Sequence, residues 1–218
     1  MDSASIAILA GGKSSRFEGL DKQKAYFKGE ALGRRVARQA LAIGCEVLVV
    51  GNEKELYADL PVKVVPDLQS GYGPLSGLHA ALSKASSSWV YLLACDMPFF
   101  NPSWFFHLLS LARTIGHDPL APKVILAVKE DHIEPFHALY SSSLAQELGD
   151  FLSLAEREGD ARGFSFHRFI KSRPWLRVPE DTALGVLGDW SIFSGANDRE
   201  SLEQLERVSP GLAPRNMI

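Results

Sequence analysis

Short apolar runs alternating with stretches of helical period leave this chain few folds to choose from. Residues 6–10, 46–50, 62–65 and 89–95 each read as a continuous buried strand. Between them, residues 32–43 place Leu32, Val36, Ala40 and Ile43 on one helical face, and residues 75–83 do the same with Leu75, Leu78 and Leu82. Strand–helix–strand repetition of this kind predicts a parallel sheet covered by helices on both faces. Asn101-Pro102 offers a cap followed by proline at the first helical position, opening a helix through Phe105, Leu108, Leu109 and Ala112.

Beyond Arg113 the pattern changes. A loop over 114–122 holds Gly116, Pro119 and Pro122. Residues 124–129 and 136–140 read as two strands joined by the charged turn Glu130-Asp131-His132, and 143–156 as a helix. Residues 161–170 and 175–178 read as a short helix and a strand. Asn197, with Glu200 three residues on, has capping-box spacing and predicts a last helix through Leu202 and Leu205. Without a repeat or a linker, residues 1–208 read as one domain and 209–218, with two prolines, as a tail.

Composition removes several classes of function. At 46% hydrophobic and 22% charged residues over 218 positions, the chain is of globular type. No apolar run nears the roughly 18 residues of a membrane span, and a net charge of −3 gives no global pull toward nucleic acid or an anionic bilayer. The N-terminus lacks a basic segment before its first apolar run, and Cys45 and Cys95 lie fifty residues apart with no Cys-x-x-Cys. Both features predict a cytoplasmic protein with free thiols.

Ligands of open α/β sheets bind beyond the carboxyl ends of the strands. That rule selects four segments. The first runs Leu9-Ala10-Gly11-Gly12-Lys13-Ser14-Ser15-Arg16 and on to Asp21-Lys22. Its glycines allow a close backbone approach, successive N–H groups can form an anion nest, and Lys13, Arg16 and Lys22 supply cations. This suits a polyphosphate. The second is Asn52. The third is Asp67, followed by Gly71-Tyr72-Gly73-Pro74-Leu75, where Gly73 and Pro74 shape a tight approach to a helix N-terminus. The fourth is Asp96-Met97-Pro98, whose carboxylate is placed to hold Mg²⁺ together with substrate phosphates.

Other chemistries lack their motifs. A Walker loop ending at Gly12-Lys13-Ser14 would need glycine where Ala7 stands inside a strand. There is no G-x-G-x-x-G, no G-x-S-x-G and no H-E-x-x-H, and His132 and Glu134 lie in a charged turn. The four tryptophans are scattered, unlike a platform for stacking bases. Without a protein nucleophile, the natural reaction is attack of one substrate's oxygen on the phosphorus of a bound nucleotide, with Arg16, Lys22 and Mg²⁺ on Asp96 stabilising charge.

Leu9-Ala10-Gly11-Gly12-x-x-x-Arg16, Asp21-Lys22, Gly73-Pro74-Leu75-x-Gly77 and Cys95-Asp96-Met97-Pro98 resemble the molybdenum cofactor guanylyltransferases. The resemblance is strongest over residues 6–98; the later segments around Pro135–Tyr140 and Asn197 resemble the family more loosely. It implies a Rossmann-like, three-layer nucleotidyltransferase fold of the GT-A type with a mostly parallel sheet. The activity implied is transfer of GMP from GTP to molybdopterin (Mo-molybdopterin), releasing pyrophosphate and forming the guanine dinucleotide cofactor. Position by position, Leu9, Ala10, Gly11 and Gly12 would contact the nucleotide and Lys22 the phosphates. Asn52 and Asp67 would hold the nucleoside, Gly73 and Pro74 would border the site, and Asp96 would ligate magnesium. Molybdoenzyme chaperones and other cofactor-biosynthesis proteins are the implied partners.

Departures from the family pattern are Phe17-Glu18 after Arg16, Glu134 before Pro135, and Gly195-Ala196-Asn197 followed by Asp198-Arg199. Two alternatives stand beside this reading. One is a cytidylyl- or sugar-nucleotidyltransferase on the same scaffold, although the Ala10-Gly11-Gly12 backbone favours a purine. The other is a non-catalytic nucleotide-binding or partner-docking protein.

Overall fold

The computed structural model describes residues 4–11, 21–66, 73–115, 120–159 and 164–208. Gly12, Lys13, Arg16, Glu18, Asp67 and Gly71, with the tail from residue 209, lie outside the described residues. In chain order the elements are β1 (Ala4–Leu9), β2 (Tyr26–Phe27), β3 (Glu30–Ala31), α1 (Leu32–Leu41), β4 (Val47–Val50) and β5 (Lys63–Val65). Then come α2 (Pro74–Lys84), β6 (Trp89–Ala94), α3 (Pro102–Ile115), β7 (Val124–Lys129), β8 (His132–Ile133) and β9 (Ala138–Ser141). The chain continues with α4 (Leu144–Glu158), α5 (Phe166–Lys171), β10 (Leu176–Pro179), α6 (Glu180–Leu187) and α7 (Arg199–Arg207).

Among the described residues the central sheet has the order β10-β7-β9-β6-β1-β4-β5, with β8 paired to β7. β1 runs parallel to both neighbours, Leu9 opposing Val50 of β4 and Ala94 of β6. β9 is antiparallel to β6 and β7, which makes the sheet mostly, not wholly, parallel. From β1 the chain proceeds to β4 and β5 on one side, then crosses back to β6 on the other. The β1/β6 gap is therefore the topological switch point, where a crevice opens beyond the carboxyl ends of the strands.

The continuous apolar runs have a simple cause. Alternate β1 side chains enter opposite cores, Ile6 and Ile8 on one face and Ala7 and Leu9 on the other. The first core adds Leu32 and Val36 of α1, Trp104 and Leu108 of α3, and Ala183 and Leu187 of α6. The second adds Leu75 and Leu78 of α2, Leu144 and Leu148 of α4, and Phe169 of α5. With both faces covered, β4 and residues 6–9 of β1 carry only apolar side chains, and each fully buried Leu, Ile or Phe stabilises by roughly 1.5–3 kcal/mol.

Two details differ from the sequence expectation. Asp198, not Asn197, caps α7: its carboxylate accepts from Ser201 N at 2.8 Å, and Ser201 Oγ accepts from Asp198 N at 3.0 Å. Serine thus fills the reciprocal position expected of Glu200. The sequence pattern also passed over the β2–β3 hairpin and α6. The hairpin turns through Lys28 at φ 49° and Gly29 at φ 82°, a left-handed pair that glycine makes accessible. In the described residues no helix is long and apolar enough to cross a membrane.

Candidate active site

Four parallel strands, β6, β1, β4 and β5, end side by side, tied across their tips by the backbone. Ala10 N donates to Val50 O at 2.9 Å, Cys95 N to Leu9 O at 3.0 Å, and Gly51 N to Val65 O at 2.9 Å. These bonds carry the ladders one residue past the strands and fix where Gly11, Asn52 and Asp96 emerge. Gly11 and Asn52 are exposed, whereas Leu9 and Ala10 are buried directly beneath. α2 approaches from one side. Gly77 lets it come close, since a Cβ there would lie 2.9 Å from Leu9 Cδ2. Its N-terminus, capped by Gly73 at φ 57° and led by Pro74, is exposed at the same sheet edge.

Lys22 reaches this edge from a short 3₁₀ turn, Lys22–Lys24. The turn is pinned from below. Asp21 caps it, accepting from Gln23 N at 3.2 Å and from Gln23 Nε2 at 2.7 Å. Tyr57 Oη donates to Gln23 Oε1 at 2.9 Å, and both Gln23 and Tyr57 are 2% exposed. Gly33 makes room for that bond, because a Cβ there would lie 2.1 Å from Tyr57 Oη. With its neighbour locked in the interior, the backbone of Lys22 is held at this edge.

That side chain crosses the switch point. Lys22 Nζ lies 2.9 Å from Asp96 Oδ2, joining residues 74 apart in sequence. The same ammonium is 3.5 Å from Asn197 Oδ1. Asn197 arrives because the segment before it is anchored: Ala196 N donates to Asp96 O at 2.8 Å. Upstream, Phe193 packs against Trp190 in a tilted pair with centroids 4.6 Å apart and meets the edges of Trp104 and His137. Gly195 leaves the other Asp96 oxygen uncrowded, a Cβ there standing 3.6 Å from Oδ1. The two charged side chains keep 26% and 20% of their surface, enough for solvent or a ligand to reach them.

The donors fit a hard divalent ion of magnesium type. Among the described residues no group of three or more His, Cys, Asp or Glu converges, so the protein builds no cage. One or two carboxylates completed by substrate phosphates suffice for Mg²⁺, and here the Lys22 ammonium stands on the Asp96 carboxylate. A sulfur nucleophile is not at hand, because burial pushes the Cys95 thiol well above the ordinary range and keeps it protonated.

Of the residues that sequence pointed to, Lys22 and Asp96 meet directly. Leu9, Ala10, Gly11, Asn52, Gly73 and Pro74 lie along the same sheet edge, Asn52 outside the Lys22–Asp96 contact among the described residues. Arg16, Gly12 and Asp67 fall outside the described residues. Asn197, which the sequence pattern also offered as a helix cap, is not the cap but stands with its Oδ1 3.5 Å from Lys22 Nζ. Its position directly ahead of an Asp-x-x-Ser cap was the available signal.

Residues 6–172 match the family described as the MobA-like NTP transferase domain. The chain is 36% identical over 212 residues to the molybdenum cofactor guanylyltransferase of Syntrophotalea carbinolica, spanning 97% of this chain and 95% of that one. It is 32% identical over 217 residues to a probable molybdenum cofactor guanylyltransferase of Peptoclostridium acidaminophilum, spanning 98% and 93%. Its fold is similar to the crystal structure of molybdopterin-guanine dinucleotide biosynthesis protein A from Archaeoglobus fulgidus. That likeness has a TM-score of 0.74 at 25% identity and covers 93% of this chain and 96% of that chain.

Proposed function

We propose that this chain, which belongs to the MobA-like NTP transferase family, transfers GMP from GTP to molybdopterin with release of pyrophosphate, forming molybdopterin guanine dinucleotide. The observation that carries the reading is the meeting of Lys22 and Asp96 across the β1/β6 switch point, 2.9 Å apart and open to solvent. The full-length similarity to relatives named for this guanylyl transfer supports the choice of substrates.

In this reading the backbone of Leu9, Ala10, Gly11 and Gly12 lines the nucleotide. Asn52 and Asp67 hold the nucleoside, and Gly73-Pro74 border it with the α2 N-terminus. Lys22 and Arg16 neutralise the phosphates, so that charge building up on the transferred phosphorus and on the departing pyrophosphate meets fixed cations. Mg²⁺, held by Asp96 and the substrate phosphates, supplies further charge neutralisation there when bound. No residue forms a covalent bond to substrate; the protein aligns a phosphate oxygen of molybdopterin with the α-phosphorus of GTP. The edge around Gly195 and Asn197 is where the second substrate enters.

The reading takes residues 1–208 as one catalytic domain working in the cytoplasm, with 209–218 as a tail, and passing its product to molybdoenzyme chaperones or other proteins of cofactor biosynthesis. Incubation with GTP, Mg²⁺ and molybdopterin, followed by mass spectrometry, is expected to reveal the guanine dinucleotide and pyrophosphate. Formation of the cytosine dinucleotide from CTP in preference, or nucleotide binding without pyrophosphate release, would contradict it.

A further inference from the structure

We infer that Lys22 reserves the Asp96 oxygen for a divalent ion that arrives together with a polyphosphate, so that metal alone is refused. The inference rests on the functional reading above and adds an order to it. Lys22 Nζ sits 2.9 Å from Asp96 Oδ2. A magnesium ion on that oxygen would stand about 2.1 Å from it. The ion and the ammonium would then share one oxygen at a separation where like charges repel strongly, the more so at a partly desolvated strand tip. On the neighbouring Oδ1 the ion would still share one negative charge with that ammonium, so it settles firmly only once the ammonium has moved away.

A triphosphate gives it a destination. Its oxygens carry several negative charges, more than the single carboxylate Lys22 would give up. Gln23, held by Asp21 and Tyr57, fixes the backbone of the turn, and the Lys22 side chain keeps 26% of its surface for a ligand to reach. One bound triphosphate thus removes the competing cation from Asp96 and contributes its own oxygens to the metal. Metal and nucleotide bind cooperatively, and by reciprocity each raises the other's affinity by the same factor. Without nucleotide, the lysine keeps Asp96 neutralised and the cleft electrostatically closed.

The test reads metal binding directly, with Mn²⁺ alone as the probe and bound and free ion distinguished by electron paramagnetic resonance. The nucleotide-free wild type is expected to hold Mn²⁺ weakly at the cleft. Lys22→Met is expected to bind it about tenfold more tightly, although the same change weakens GTP binding. Lys22→Gln, an independent uncharged variant, should show the same gain. Adding Asp96→Asn to either should erase it. Nucleotide-free Mn²⁺ affinity no higher in both single variants than in the wild type would overturn the inference, and so would a gain that survives Asp96→Asn. A separate titration of the wild type with GTP and Mg²⁺ keeps the two claims apart. Failure of that binding sinks the functional reading, whereas GTP binding alongside unchanged Mn²⁺ affinity sinks only the ordering.

Discussion

Two lysine–carboxylate pairs sit at opposite ends of the same parallel strands, and they are built for opposite purposes. At the amino ends, Glu46 is saturated. Its carboxylate accepts from Ser5 Oγ at 2.6 Å, from Ser86 N and Oγ at 2.8 Å each, and from the Lys63 ammonium. Burial alone would raise its pKa, but the donors outweigh burial and hold it at about 2. At the carboxyl ends, Asp96 receives the Lys22 ammonium on one oxygen and faces the open backbone of Gly195 with the other. A carboxylate with its acceptor sites filled ties β1, β4, β5 and the segment before β6 into one block. Asp96 is held by one ammonium that both side chains' exposure leaves within reach of a ligand. A lysine–carboxylate pair reinforced by three further donors serves stability, whereas one with an oxygen left uncrowded keeps room for a ligand.

That contrast can be broken most severely at the tip. Asp96→Ala is expected to lower turnover by about a thousandfold or more while leaving the melting temperature near the wild-type value, because the proposed mechanism loses its anchor for Mg²⁺ and no core group is touched. Steady-state pyrophosphate release and thermal denaturation check both halves. Wild-type turnover would remove Asp96 from the reaction.

At the base the signs reverse. Glu46→Ala should cost about 2–3 kcal/mol of stability at neutral pH, leaving Ser5 and Ser86 without their acceptor, and should spare the kcat of the folded enzyme. Its pH dependence follows from the lowered pKa. The stabilisation is complete above the ordinary value of 4.5 and is lost as the pH falls toward about 2. Denaturant titrations of the variant should therefore show a flatter acid limb over that interval. His137 adds a second acid loss: burial lowers its pKa from 6.5 to about 3 against a weaker opposing contact with the Ile192 backbone. Its neutral ring favours the fold fully above pH 6.5, and that contribution fades as the pH drops toward 3.

Lys22→Ala should weaken GTP binding by about ten- to thirtyfold in a calorimetric titration, the value of one charge-assisted contact. An unchanged Kd would remove its phosphate contact. The smallest effect is expected one step behind it. Tyr57→Phe removes the Oη–Gln23 bond, and burial already keeps that phenol protonated. About 1 kcal/mol of stability should go, with a several-fold rise in the KM for GTP and little change in kcat. An equal loss in both kinetic constants would place Tyr57 nearer the chemistry than its position beneath Gln23 allows.

Legibility in the sequence followed physical character. The buried strands could be read because both faces are covered, leaving unbroken apolar runs such as the one ending at Leu9. Lys22 and Asp96 stood out because they fall at the carboxyl edge of the sheet, where open α/β sheets take their ligands, and the structure brings the two together. α6 escaped, since its eight residues include Gly185 and depend on Ala183 and Leu187 entering a core built by distant elements. The β2–β3 hairpin escaped because two-residue strands are too short for a period. Asn197 was misjudged for a related reason. Its meeting with Lys22, 175 residues away, is made by Trp190, Phe193 and Ala196, and nothing local to Asn197 encodes it.

The central claim is that Lys22 and Asp96 part to admit a nucleotide and its metal. Crystals grown with GTP and Mg²⁺ address it most directly. The account predicts the triphosphate in the cleft, with Lys22 Nζ moved from Asp96 onto a phosphate oxygen and the ion on the vacated carboxylate. Nucleotide bound elsewhere, with the ion pair still closed at 2.9 Å, would contradict it.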